Sequence, residues 1–138
     1  MSIQNEIAED TEAQDYVEVE ARVAKPLMQV WDSLTRPDGI EALFGEGVTL
    51  GDKGDPWHGT DGTYGVTRSY HPGEQVRISW HADDNAPATL VDVRFREDGD
   101  ATVVSIRHEH LPEDADRAAL KARWEEGLDR LAALRAQS

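Results

Sequence analysis

The chain contains no cysteine, which excludes disulfides, thiolate metal centres, iron–sulfur clusters and a cysteine nucleophile together. Basic residues are scarce, with 14 Lys and Arg against 28 Asp and Glu, a formal charge of −14. Phosphate backbones and anionic bilayers attract cationic surfaces, so no nucleic-acid partner and no docking on such membranes are expected. The charge serves solubility, or else an acidic surface for a basic partner. No apolar run approaches the roughly 18 residues of a membrane span, and no basic segment followed by an apolar stretch opens the chain. A soluble, cytoplasmic protein without membrane insertion is expected. Catalytic signatures are missing too. Gly45-Glu46-Gly47 lacks a third glycine at dinucleotide-binding spacing, no Gly-x-Ser-x-Gly elbow occurs, and Asp52, Asp55 and Asp61 do not fit a calcium loop. No cofactor and no metal are called for.

What is present reads as one α+β domain. The 138 residues have room for a single core. Residues 1–14 are acidic and polar and read as a flexible arm, leaving 15–138 as the folded domain. Val17, Val19, Ala21 and Val23 alternate with Glu18, Glu20 and Arg22, the period of a half-buried strand. Pro26 is placed to start a helix carrying Leu27, Val30, Trp31 and Leu34, and Pro37 starts a second, with Ile40, Leu43 and Phe44, which Gly45 can end in a left-handed conformation.

Residues 45–62 are rich in glycine and aspartate, the composition of a mobile loop at a mouth, with a short strand expected at Val48–Leu50. Strands follow from Thr63 to Tyr70, then over Val76, Ile78 and Trp80, then over Val91, Val93 and Phe95. Asp98-Gly99 marks a hairpin. The return strand places Thr102, Val104, Ile106, His108 and His110 on one face. Leu111-Pro112 ends it, and Asp114 can cap a closing helix over 113–136, whose Leu120, Trp124, Leu128, Leu131 and Leu134 recur at three- and four-residue steps.

Consecutive hairpins make an antiparallel sheet with one wet face, and a helix with one apolar stripe covers the dry face. The closing helix is therefore expected to lie across a curved sheet of about six strands, with Gly127 allowing close approach and a cavity between helix and sheet.

The interior aromatics are the first site candidates. Trp80, Phe95 and Trp124 can either fill that space or line it, whereas Trp31 reads as packing between the first helix and the sheet. His108 and His110 share the face of Val104 and Ile106, where a neutral imidazole can orient a ligand or act as a general base; the alternative is a histidine satisfied by its neighbours. Two histidines two residues apart could seed a metal site, but no third ligand appears at a recognisable spacing. Arg68 shares parity with Tyr64, Val66 and Tyr70, and a bulge near Gly65 would turn it outward. Trp57-His58 either closes an entrance or anchors a surface loop.

Taken in order, these signals resemble the START-like (SRPBCC) superfamily and, within it, the activator-of-heat-shock-protein-ATPase (Aha-type) group. The resemblance covers about residues 15–136. It rests on the first strand running into a proline-started helix with Val30-Trp31, a second helix ending in Phe44-Gly45, and Gly62 and Gly65 before a strand. A His71-Pro72 turn leading to Trp80, the run Thr102 to Glu109 before Leu111-Pro112, and Trp124 complete it. It implies a helix-grip fold that holds an apolar or aromatic small molecule between sheet and terminal helix. Phe44, Tyr64, Trp80, Phe95, His108, Trp124 and Leu128 are the expected ligand-binding residues, with His108 the one catalytic candidate. Members of the superfamily also include cyclases and hydrolases, and the Aha-type group is named for a co-chaperone, so an enzyme or an adaptor stays open, as does a homodimer or a protein partner. In that group the Phe44 position is often tryptophan, and Gly-Trp often stands where this chain has Arg123-Trp124, departures that would reshape a cavity.

Overall fold

A computed structural model describes residues 15–133. The acidic segment 1–14 and Leu134 lie outside the described residues. In chain order the elements are β1 (Val17–Val23), α1 (Leu27–Thr35), α2 (Pro37–Phe44), β2 (Pro56–His58), β3 (Tyr64–His71), β4 (Gln75–Trp80), β5 (Thr89–Asp98), β6 (Ala101–Glu109) and α3 (Arg117–Ala133). All strands pair antiparallel in one six-stranded sheet of order β1-β6-β5-β4-β3-β2. Strands β2 to β6 form a meander, and β1 returns to pair with the last strand. This is the expected helix-grip arrangement of a curved sheet, a closing helix and two short helices after the first strand.

The period-2 pattern becomes two faces through register. Val19, Ile106, Val93, Val76 and Tyr70 stand opposite one another across five strands, and the first four are buried. The next row on the other face, Glu18, Arg107, Asp92, Arg77 and Ser69, alternates in charge along its first four positions, which suits a wet face. The dry face is covered by α3 through Trp124, Gly127, Leu128 and Leu131, all buried. A Cβ on Gly127 would sit 2.8 Å from the Leu43 carbonyl oxygen, so glycine is what lets α3 close on α2.

Several boundaries differ from the expectations. Proline 26 is the residue before α1 rather than its first, whereas Pro37 does open α2. Gly45 ends α2 with φ +127° and ψ 160°, a region beyond the ordinary left-handed one and open to glycine alone. No strand forms at Val48–Leu50; the edge strand is Pro56–His58 instead. The reason is Trp57, whose ring is 2 % exposed and whose indole N–H donates to the Ser79 carbonyl at 3.2 Å. The loop 45–62 is pinned at several points, by Gly47 N–H on the Glu41 carboxylate, Thr60 N–H on the Glu46 carbonyl and Gly54 N–H on the Thr67 carbonyl.

The closing helix starts later than its hydrophobic pattern, because Pro112–Asp116 form a turn and the capping carboxylate is that of Asp116, not Asp114. Asp116 Oδ1 accepts the Ala119 N–H at 3.0 Å, the geometry of an N-cap satisfying the third residue of the helix. Asp116→Ala is expected to cost about 1 kcal/mol in urea unfolding and Asp114→Ala only a few tenths; equal losses would return the cap to Asp114.

Candidate functional site

His108 is the one imidazole on the dry face, and it is fully buried. Its row neighbours on β1, β5 and β4 are Val17, Val91 and Ile78, so its polar atoms depend on groups at the ends of other elements. Trp124 on α3 donates its indole N–H to His108 Nδ1 at 3.1 Å. An indole nitrogen only donates, so Nδ1 is the acceptor and the ring proton sits on Nε2. Nε2–H then donates to Thr89 Oγ1 at 2.7 Å, and Thr89 passes its own hydroxyl proton to the Trp80 carbonyl at 2.6 Å.

The result is a closed relay from α3 through β6 to β5 and β4. Burial, and then the positive charge of Arg123, push the imidazole pKa down from 6.5 to about 4. Protonation would also aim a second N–H at the Trp124 indole, which has nothing to accept with. His108 is therefore neutral at pH 7, and neither ring nitrogen is left for a substrate.

The other expected site residues separate into three places. Trp80 and Trp124 pack edge to face with His108 at 4.7 and 5.8 Å between ring centroids, and Phe44 meets Trp124 at 6.2 Å. With Leu128, 2 % exposed, they fill the middle of the space between sheet and helix. Phe95 lies apart from them. It packs on Trp31 at 5.1 Å, and Tyr70 lies on the other side of Trp31 at 5.5 Å. Tyr64 stacks on His81 at 4.4 Å. His110, expected beside His108, has left the strand: its φ of +62° turns it to the exposed side. Arg68 also faces out, because the register slips between Thr67 and Ser69, further along than the expected bulge near Gly65.

Space remains at the amino-terminal end of α3. A cavity of about 250 Å³ lies between Trp80 and Thr89 on the sheet, Ala86 and Pro87 of the β4–β5 loop, and Ala115 and Leu120 at the start of the helix. Its walls are almost wholly apolar, and the indole N–H of Trp80 is buried with no hydrogen-bond partner among the described residues. Of the seven expected ligand-binding residues only Trp80 lines this cavity. Its alanines carried no periodic signal; small side chains in a turn and a helix start are what leave the room.

Arg123 ties the loop before β3 and the end of α2 to the aromatic cluster. Its guanidinium holds Asp61 Oδ2 at 3.3 Å and the Phe44 carbonyl at 3.1 Å, and lies over the rings of Trp80 and Trp124. Burial alone would raise the Asp61 carboxyl, but hydrogen bonds from Thr63 and the Arg123 charge outweigh it and hold it below its ordinary value. Among the described residues no group of three or more potential metal ligands converges, and no helix is long and apolar enough to cross a membrane.

The architecture recurs in solved structures. DynU16, a protein in the dynemicin biosynthetic locus, is 23% identical with a TM-score of 0.72; the match covers 86% of this chain but 46% of that one, so this chain spans about half its length. CV1439 from Chromobacterium violaceum is 19% identical with a TM-score of 0.73 over 90% of this chain and 99% of its own. The Aha1 dimer from Colwellia psychrerythraea is 17% identical with a TM-score of 0.69, covering 85% and 92%. At these identities the likeness is one of fold. No curated protein matches the chain. The sequence itself carries the kinship further: residues 24–136, from the end of β1 past α3, match the family described as Activator of Hsp90 ATPase homolog 1-like protein, and the chain belongs to that family.

Proposed function

We propose that this protein is a binding module that holds one small, neutral, mostly apolar molecule in the cavity at the amino-terminal end of α3. The observation that carries the reading is the Trp80 indole N–H, buried and unpaired in a residue that lines an otherwise apolar cavity. A buried donor without a partner costs roughly 1–3 kcal/mol, and a ligand carbonyl or ether oxygen would relieve that cost while its apolar body displaces water from the walls. Of the aromatic cluster that fills the middle of the fold, Trp80 alone reaches the cavity and forms its floor.

An enzyme using His108 as acid or base is the weaker reading, since both ring nitrogens are already hydrogen-bonded. Thr89, the other polar side chain on the sheet side of the cavity, is likewise engaged.

Acetophenone and ethylbenzene form a matched pair of probes, differing in one carbonyl oxygen. In nitrogen-resolved NMR of the four indole N–H groups, acetophenone is expected to move the Trp80 resonance, with ethylbenzene binding several-fold more weakly. Ala115→Phe, which fills the cavity, is expected to abolish both effects. An unmoved Trp80 resonance with either probe, or undiminished binding to Ala115→Phe, overturns the proposal.

A further inference from the structure

The wet face of the sheet carries a second, larger concavity, of about 700 Å³, on the side opposite α3. Its charged lining has one sign: Lys53 from the turn before β2, Arg68 at the β3 bulge and Arg77 on β4. In a chain with a formal charge of −14, no carboxylate contributes to the lining. Asp92, beside Arg77 on the neighbouring strand, forms a loose ion pair with it at 3.8 Å and is shared with other donors. Asp92 accepts from Gln75 Nε2 at 3.0 Å and from Arg94 at 3.2 Å, and Glu109 pairs with Arg107 at 2.8 Å.

Two polar atoms of residues lining the groove have no hydrogen-bond partner among the described residues. Arg77 Nε is buried and stands 3.8 Å from Asp92 Oδ2, too far for a hydrogen bond, and the Ser69 hydroxyl beside it is buried and unpaired. The bulge is what assembles them, because Arg68 and Ser69 fall together opposite Arg77 where an unbroken ladder would place one residue. His110, held in the left-handed region at φ +62°, stands at the rim. Val66, Ala88 and Leu90 add apolar surface, beside the hydroxyl-bearing Thr67, Ser79 and Thr89.

We propose that this outer groove binds a small organic anion, a phosphate monoester or carboxylate on an apolar body, with the anionic group on Arg68, Arg77 and Ser69 and the body on Val66 and Leu90. Two guanidinium groups lining one groove, with an N–H and a hydroxyl that lack hydrogen-bond partners, suit an oxyanion's several acceptor sites. Thr89 borders both spaces, but Arg68, Ser69 and Arg77 do not line the α3 cavity, so the anion contacts are distinct from it.

The test is calorimetric titration of the full chain with phenyl phosphate, with inorganic phosphate and phenol as the two halves of the probe. Phenyl phosphate is expected to bind, more weakly as salt rises from about 0.02 to about 0.5 M, and at least about tenfold more weakly to Arg68→Gln and to Arg77→Gln. Arg68 is exposed, so its variant keeps the fold even if Arg77→Gln disturbs Asp92. Ala115→Phe is expected to bind phenyl phosphate unchanged, which separates this groove from the α3 cavity. No binding up to about 10 mM, a level at which even a weak site saturates, overturns the proposal, as does equal affinity in the Arg68→Gln chain. Inorganic phosphate binding as tightly as phenyl phosphate would mean an adventitious ion only, and would overturn it too.

Discussion

Trp124→Ala is expected to lower the free energy of unfolding by about 4 kcal/mol, within the range for removing a large buried aromatic ring. The side chain is 0 % exposed, packs against Phe44, Trp80 and His108, and is the donor that satisfies His108 Nδ1. Its loss opens a void and strands a buried acceptor in one step. Trp124→Phe separates the two contributions: the ring contact is largely kept while the N–H is removed, and a loss of roughly 1–3 kcal/mol is expected. Urea unfolding of the three chains measures both. A Trp124→Ala chain within about 1 kcal/mol of the parent, well short of the usual cost of such a cavity, would show that α3 is not held to the sheet through this residue.

The second large effect is a loss of stability in mild acid. The unfolded chain takes up a proton on His108 near pH 6.5, but the folded chain only near 4. Between those values the unfolded state holds more protons, so stability rises with pH there. The contribution is fully present above pH 6.5 and is lost as pH falls through the window towards 4. At about 1.36 kcal/mol per pH unit the loss is about 3 kcal/mol. Asp61 titrates below this window, because its depressed carboxyl adds stability that disappears only under its ordinary value of 3.8. His108→Gln removes the titrating group while keeping an amide that can both donate and accept. Its unfolding free energy is expected to be nearly flat from pH 6.5 to 4 where the parent falls. Parallel slopes in the two chains would mean that another group controls acid unfolding.

Both predictions use contacts that periodicity could only half anticipate. The alternation Val76, Ile78, Trp80 and Val104, Ile106, His108 was sufficient to put these side chains on one face, and the spacing of Trp124 and Leu128 put them on the covering helix. Parity names a face, however, and not a place on it. Phe95 shares the face of Trp80 yet packs with Trp31, because β5 runs ten residues and Phe95 lies six positions beyond Thr89, the partner of Trp80. His110 shows where parity ends: one residue at positive φ after β6 reverses the side on which its ring lies. The strand at Pro56–His58 had too few residues to show a period and is held by its pairing with β3 and by one buried indole. The cap at Asp116 competed with an equally plausible Asp114 two residues earlier, and only the chain path out of Pro112 distinguishes them.

Most local order was written in the sequence: the five longer strands, the three helices, which face of each is apolar, and that the last helix covers the sheet. These follow from interactions among residues a few positions apart, where a period of 2 or 3.6 leaves a visible trace. The chemistry of the site was settled only when distant segments met. Trp124 lies 16 residues from His108, Thr89 lies 19 from it, and Arg123 lies 62 from Asp61. Strand register and the seating of α3 decide those meetings, so they also decide that His108 is neutral and occupied, that the centre is filled, and that the free space lies at the helix start and on the outer face. Such pairings leave no periodic mark in one chain, because each depends on the whole packed arrangement and not on the residues beside it.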